Sequence, residues 1–318
     1  MISKINNFKG SLLKVSGIGA DEIAYNPAVI VQKNANKIAN GVNIIAARVE
    51  SLNSNWADPK LYDPHIMFFI RQDDNLVLIP STPVFYQYED PWATWLIGEN
   101  NEPQLLFGGV KVDYSGNEPV ITTQLYLVPS ISELNPNQPF AEIREMKDIR
   151  FAQLPNRQIA VFTRPTTGKA NPGRIGLTII NNIRDIKNPE TLHSAKLLKF
   201  NFDFYCKIGT NEVFFVDKTG LLHVFFHIAT VEGNDFAHSS NQLIHYAGYE
   251  FELDPKAPFD KVITPSLVAK RSDFPKNTSD SKGPRFDDVV FPGGTGGPDQ
   301  KEYFAGIEDA RIGVIDLR

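Results

Sequence analysis

Apolar residues in this chain come in short runs rich in β-branched and aromatic side chains, each cut off by Asn, Asp, Gly or Pro, and sustained helical periodicity is scarce. Without a long apolar stripe no helix can bury a face, so the chain is expected to be nearly all β. Tyr25 to Val31 and Val42 to Glu50 predict two strands, and His65 to Ile70 with Leu76 to Ile79 predict a hairpin around Asp73-Asp74-Asn75. Trp92 to Ile97, Gln104 to Tyr114 and Val120 to Val128 continue as a meander. Ile149 to Leu154, Ile159 to Arg164 and Gly173 to Ile180 repeat the form with a turn at Pro155-Asn156-Arg157. Val213 to Val216, Leu221 to Ile228 and Gln242 to Leu253 do so again, turning at Lys218-Thr219-Gly220. Asp287 to Phe291, Glu302 to Gly306 and Arg311 to Leu317 close the series.

Five such groups, at irregular intervals of roughly forty to ninety residues, predict a five-bladed β-propeller with loops of unequal length. A single domain over residues 1–318 is then expected. The competing layout is two β-sandwiches joined near Pro129 to Pro139, a Ser/Asn/Pro-rich stretch with linker composition. The propeller is preferred because polar clusters recur near the first strand of each group, and in a propeller the innermost strands line one central channel. Lys270 to Gly297, rich in Pro, Gly, Ser and Asp, is expected as a long surface loop.

A formal net charge of −5 argues against nonspecific binding to nucleic acid or anionic lipid. Cys206 is the chain's one cysteine, so no intrachain disulfide can form and a reducing compartment is favoured. Its neighbours Phe204, Tyr205 and Lys207 do not build an activated nucleophile, and a buried thiol is expected. Met1 to Asn7 lack a hydrophobic leader segment and no apolar run is long enough to span a bilayer, so a cytoplasmic location is the expectation. Oligomeric state, homo-oligomers included, is not readable from residue types.

Three motifs have a stronger structural explanation than a chemical one. Phe291-Pro292-Gly293-Gly294-Thr295-Gly296-Gly297 has the glycines of a phosphate loop but not its Lys-Ser/Thr ending, and a hairpin turn is expected there. His223 and His227 lie four apart, but within a run of strand composition, where they share a face without the geometry of a helical zinc motif; no metal is expected. No nucleophile elbow supports Ser/His/Asp catalysis.

Gln87-Tyr88-Glu89-Asp90-Pro91-Trp92 carries the chemistry. An acidic pair runs directly into a proline, between aromatic residues and ahead of a strand, which holds one carboxylate rigidly at a strand start. A solvated turn accounts for such a triplet taken alone. Recurrence favours function: Tyr25-Asn26-Pro27, Lys147-Asp148-Ile149-Arg150, Asn211-Glu212-Val213 and Glu308-Asp309-Ala310 are polar clusters of the same kind. Asp90 is taken as the working acid.

These clusters fall in a family order. Tyr25-Asn26-Pro27-Ala28-Val29 is followed by Ala46-Ala47-Arg48-Val49-Glu50, Glu89-Asp90-Pro91, Lys147-Asp148 with Thr163-Arg164-Pro165, and Lys207-Ile208-Gly209. His227, Tyr246 with Asp254-Pro255, and Gly306-Ile307-Glu308-Asp309-Ala310 complete the order. Over most of its length the chain resembles the five-bladed mannoside phosphorylases of glycoside hydrolase family 130. It is more similar still to a group long classed as a domain of unknown function, which includes the mannosyltransferase-phosphorylases of glycosyltransferase family 108. The resemblance implies that Asp90 is the general acid and that Asn26, Arg48 and Asp309 contact the sugar. It implies a phosphate pocket of Lys147, Arg164, His227 and Tyr246, with Glu50, Asp148 and Glu212 as further sugar-hydroxyl acceptors. Inorganic phosphate would be a co-substrate rather than a cofactor, and the partner a β-mannoside oligosaccharide or a sugar phosphate. One departure stands out: Trp92 occupies the place where the phosphorylases usually have arginine after Glu-Asp-Pro.

Cleaving a glycosidic bond takes a proton for the leaving oxygen and a nucleophile at the anomeric carbon. Water needs a second carboxylate to activate it. Phosphate arrives anionic and needs only to be neutralised and aimed, work for which Arg and Lys are suited. Lys147, Arg164, His227 and Tyr246 favour inverting phosphorolysis, or the reverse synthesis. Two alternatives stay open: a β-glycoside hydrolase with Asp148 or Glu212 as base, and a non-catalytic glycan-binding propeller.

Overall fold

The apolar runs form strands whose two faces are both covered, which is why they read as near-continuous hydrophobic stretches rather than as an alternation. A computed structural model describes residues 10–34, 37–55, 58–113, 120–166, 173–202, 206–232, 243–276, 282–296 and 301–317. Met1 to Asn7, Tyr114, Phe204, Tyr205, Gln242, Gly297 and part of the stretch from Lys270 lie outside the described residues.

Two short strands, β1 (Ser11–Leu12) and β2 (Lys14–Ser16), precede a meander of β3 (Glu22–Asn34), β4 (Lys37–Ser51), β5 (His65–Gln72) and β6 (Asn75–Leu78), with β7 (Phe85–Tyr86) beside β5. The second meander is β8 (Tyr88–Ile97), β9 (Pro103–Asp113), β10 (Val120–Val128) and β11 (Ala141–Arg144). The third is β12 (Met146–Gln153), β13 (Ile159–Pro165), β14 (Gly176–Ile180) and β15 (Lys196–Leu197), with the short helix α1 (Pro189–His193) in its last connection. A fourth runs β16 (Lys207–Val216), β17 (Leu221–Val231), β18 (Ile244–Leu253) and β19 (Ser266–Ala269). Last come β20 (Asp288–Gly296), β21 (Glu302–Ile307) and β22 (Arg311–Asp316). Strand β22 pairs with β1 from the other end of the chain, and β2 pairs with β6. The fourth and last meanders share one sheet through parallel pairing of β18 with β20 at His245–Asp288 and Tyr246–Val289.

Each neighbouring pair of meanders shares an apolar core. Phe68, Phe85, Phe107 and Tyr126 join the first to the second, and Trp92, Leu106, Phe151 and Val161 the second to the third. Phe162, Ile208, Phe226 and Phe251 join the third to the fourth, Phe225, Ala269, Val290 and Tyr303 the fourth to the last. Ile45, Phe69, Phe304 and Val314 join the last back to the first. The opening strands follow the same circuit: β3 touches β8, β8 touches β12, β12 touches β16, β16 touches β20, and β20 returns to β3.

Two expectations are corrected. Phe291 to Gly296 is not a hairpin turn but the body of β20. Its glycines serve close approach: a Cβ on Gly293 would run into the carbonyl of Pro27 on β3, and Gly294 sits at φ +141°, where other residues are strained. The expected loop from Lys270 therefore ends by Phe286, after 3-10 turns at Arg271–Asp273 and Pro284–Phe286. The stretch from Pro129 to Pro139 links β10 to β11, which pair with each other, so it is a connection inside one sheet; Ile131 and Leu134 anchor it in the core.

Candidate active site

Every opening strand carries one extra residue relative to its partner. The ladder of β3 with β4 skips between Tyr25 and Ala28, β8 with β9 between Glu89 and Trp92, and β12 with β13 between Lys147 and Arg150. On β16 the skip falls between Thr210 and Glu212, and on β20 between Pro292 and Gly294. A one-residue bulge leaves a side chain unpaired and re-aims it. Three bulges place an Asx residue in the left-handed region, Asn26 and Asp90 at φ 46° and Asp148 at φ 51°. Asn and Asp tolerate that conformation better than other residues with a Cβ, which is why the clusters are written with them. Glu308 and Asp309, at φ 58° and 48°, make the corresponding turn between β21 and β22.

Asp90 faces this convergence, its side chain 14% exposed. Asn26 Nδ2 donates to its Oδ1 at 2.9 Å, and Arg48 Nη1 stands 3.8 Å from the same oxygen. Burial and the negative charge of Glu89 push the Asp90 carboxyl above the usual carboxylate range. Glu89 goes the opposite way. Burial opposes its ionisation, but Lys147 Nζ at 3.0 Å and Arg48 Nη1 at 3.9 Å outweigh it, and the Tyr62 hydroxyl also donates to it. Adjacent carboxyls are thus driven apart, Glu89 toward the anion and Asp90 toward the protonated acid. Because the Asn26 amide donates to Oδ1, Oδ2 is the oxygen suited to carry a proton.

Lys147, Arg164 and Lys207 crowd the neighbouring wall. Burial lowers the Lys207 pKa, and the charges of Arg164 and Lys147 lower it further. Arg164 Nη1 is paired with Asp148, while its Nε is buried without a hydrogen-bond partner among the described residues. Asp148 stays ionised despite its burial because the charges of Arg164, Arg150 and Lys147 favour the anion. His227 is neutral: burial outweighs Asp148 and takes its pKa down to about 3. The Asn211 amide gives its NH2 to Pro292 O at 2.9 Å, so its Oδ1 accepts from His227 Nδ1 at 2.8 Å, and Nε2 keeps its lone pair. The ring of Tyr246 lies 5.3 Å from that of His227, and burial takes its hydroxyl up to about 12, making it a donor at neutral pH.

Arg48 bridges the sugar-side candidates, with Glu50 at 3.3 Å and Tyr62 at 3.0 Å. Glu50 is fully buried; desolvation takes its pKa to about 7 although Lys282 pairs with it. Asp309 is raised too, by burial and by Asp90 and Glu89, against Arg48 and Lys282. Glu212 does not join this group. It comes after its bulge, accepts from Thr295 N at 2.8 Å and lines a cavity at the other end of the opening strands. Trp92 does not face the site either: it is 3% exposed, stacked on Phe151 at 5.4 Å, and the guanidinium above its ring at 5.3 Å belongs to Arg150.

Sequence reasoning missed Arg150, Tyr62 and Lys282, and used Lys207 only as a motif member. Arg150 had a signal, since it closes the Lys-Asp-Ile-Arg cluster; Lys282 had none, lying in a stretch with loop composition. His223 is paired with Glu250 at 2.9 Å, and Cys206 is buried. Among the described residues no group of three or more His, Cys, Asp or Glu is placed to hold a metal ion, and no helix is long and apolar enough to cross a membrane.

A protein-family model described as "Protein of unknown function (DUF1861)" matches residues 2–318. No curated protein matches the sequence. Among solved structures, MPT-4, a mannose phosphorylase from Leishmania mexicana in complex with phosphate ion, is 24% identical, with 97% of this chain and 87% of that chain covered and a TM-score of 0.75. MPT-1, a GDP-Man-dependent mannosyltransferase from the same organism, is 21% identical, with 98% and 89% covered and a TM-score of 0.76. A structure from work on the GH130 family of mannoside phosphorylases and its glycoside hydrolases is 12% identical, with 92% and 84% covered and a TM-score of 0.51. At these identities the shared property is the fold.

Proposed function

We propose that this member of the DUF1861 family, to which the chain belongs over almost its whole length, is a five-bladed β-propeller enzyme that cleaves β-mannosides with inorganic phosphate, inverting the anomeric carbon, and runs the same reaction in reverse. The architecture is supported by the closed circuit of opening strands and by the pairing of β1 with β22, which would fasten the last blade with the first residues described. The chemistry rests on one juxtaposition: Asp90, a carboxyl whose surroundings favour its proton, beside three clustered cations, Lys147, Arg164 and Lys207, the first two braced by Glu89 and Asp148. Like charges crowded in a partly buried wall are stabilised by an anion, and phosphate is the anion that makes a second carboxylate unnecessary.

In the forward direction, phosphate accepts hydrogen bonds from Lys147, Arg164, Lys207 and the Tyr246 hydroxyl, and its own hydroxyl donates to His227 Nε2. One phosphate oxygen attacks the anomeric carbon. The glycosidic C–O bond breaks, and Asp90 Oδ2 gives its proton to the departing oxygen, directly or through a sugar hydroxyl. Asn26, Arg48 and Asp309 hold the mannosyl unit, Glu50 takes a hydroxyl, and Asp148 fixes Arg164. Hydrolysis is less well supported: Asp148 is consumed by Arg164, and Glu212 sits beyond the bulge ring. The Leishmania phosphorylase and mannosyltransferase that share the fold support mannose as the sugar.

The test is incubation of the purified protein with mannose 1-phosphate and mannose or mannobiose. A lengthened mannoside with stoichiometric release of phosphate is expected. Mannose 1-phosphate left intact over the acceptor series, or hydrolysed without regard to acceptor, would overturn the assignment.

A further inference from the structure

The opening strands have two ends, and only one carries Asp90. At the other, the residues after the bulges enclose a cavity of about 590 Å³, a volume in the range of small-molecule sites. Its walls bear Trp92, Trp95, Arg150, Glu212 and Thr295, with Arg157 and Asp217 at exposed positions. The indole of Trp95 is fixed, since its N–H donates to Val31 O at 2.8 Å, and Thr295 N–H holds one oxygen of Glu212. The two guanidiniums are answered by two carboxyl groups, so the lining carries no strong single-sign charge, whereas the Trp95 ring beside hydrogen-bonding groups matches the alternating CH and OH surfaces of a sugar.

We infer that this cavity is a second ligand site and that it takes a neutral pyranose, its CH face against Trp95 and a hydroxyl pair on Glu212. Desolvation takes the Glu212 pKa to about 7, so at neutral pH its carboxyl can both donate to and accept from sugar hydroxyls. Arg150 stands between the two ends, its charge interacting with Asp148 and Asp90 on one side and with Glu212 on the other. The inference does not depend on phosphorolysis.

Trp92 and Trp95 both line the cavity, so intrinsic fluorescence responds to a ligand there, and the variants below assign the response to this site. The whole protein, wild type and Asp90→Asn, is titrated with methyl α-mannopyranoside, methyl β-glucopyranoside, methyl β-galactopyranoside and inorganic phosphate. At least one pyranoside should give a saturable emission change in both proteins, with an affinity that falls ~10-fold or more in Glu212→Gln. Because Glu212→Gln removes a buried carboxyl and can disturb folding, Thr94→Phe, which narrows the cavity from another wall, serves as the second variant and should weaken the same ligand. No saturable change with any pyranoside, a change with phosphate alone, or an affinity untouched in both variants would overturn the inference.

Discussion

At the scale of single residues, the account depends on two adjacent carboxyls having opposite fates. Glu89 is surrounded by cations and the surroundings of Asp90 favour its proton, so Asp90→Asn should fold with an unchanged melting temperature and lose about 10²–10⁴-fold in turnover, the usual worth of a general acid. Rate assays beside a thermal melt check this; near-wild-type turnover would remove Asp90 from its role. The sign of the pH dependence follows. An acid with a raised pKa is active below that pKa and lost above it, so kcat for phosphorolysis at saturating phosphate should fall as pH rises, with no alkaline gain. Glu212 makes a separate prediction. Its folded pKa of about 7 lies above its ordinary 4.5, so the folded state binds the extra proton between those values; stability is full below about 4.5, falls as pH rises to about 7 and is flat above. Glu212→Gln should reduce that fall by up to about 3 kcal/mol, measured by urea unfolding across the window. Glu50 adds a loss of the same sign. Asp90, Asn26 and Asp148 were legible in the sequence because an Asx residue before a proline or a strand marks a special backbone site. Glu212 misled for the same reason: its cluster looks alike, but it stands one residue beyond the bulge instead of in it.

At the scale of elements, the bulge is the unit that makes the site. Each opening strand spends one unpaired residue there, and its neighbours must leave room. Gly209 on β16 shows the constraint, since a Cβ at that position would press into the Asp148 carboxylate and the His227 ring. Gly209→Ala should therefore disturb the Asp148–Arg164 pair and raise KM for phosphate by ~10-fold or more while changing KM for the mannoside little, as steady-state kinetics with each substrate varied can show. Strand existence was readable from composition, and the turns at Asp73-Asp74-Asn75, Pro155-Asn156-Arg157 and Lys218-Thr219-Gly220 are where their residue types put them. The short strands β1, β2, β7, β11, β15 and β19 were not, because two to four residues carry no periodicity. Strand β20 was read only as far as Phe291, because the glycines of its second half, which in sequence spell a turn, here let one backbone lie against Pro27.

At the scale of the whole molecule, the circuit of cores has to close, and β1 and β2 help to close it by pairing with β22 and β6. Leu13, between them, is 6% exposed in the core shared by the first and last meanders. Deleting residues 10–16 should lower the melting temperature by ~5 °C or more and broaden the transition, as calorimetry of the shortened chain can determine. That circuit is also what brings Asn26, Asp90, Asp148 and Asp309, spread over most of the sequence, to one end of the opening strands. No local pattern encodes such a meeting, and only the order of the motifs hinted at it. The central claim is that a protonated Asp90 and a cationic wall make phosphate, not water, the nucleophile. It is tested most directly by ³¹P NMR of the protein incubated with mannobiose, with and without inorganic phosphate. The account predicts a growing mannose 1-phosphate signal only when phosphate is present, absent in Asp90→Asn; free mannose released at the same rate without phosphate, and no phosphomonoester with it, would contradict it.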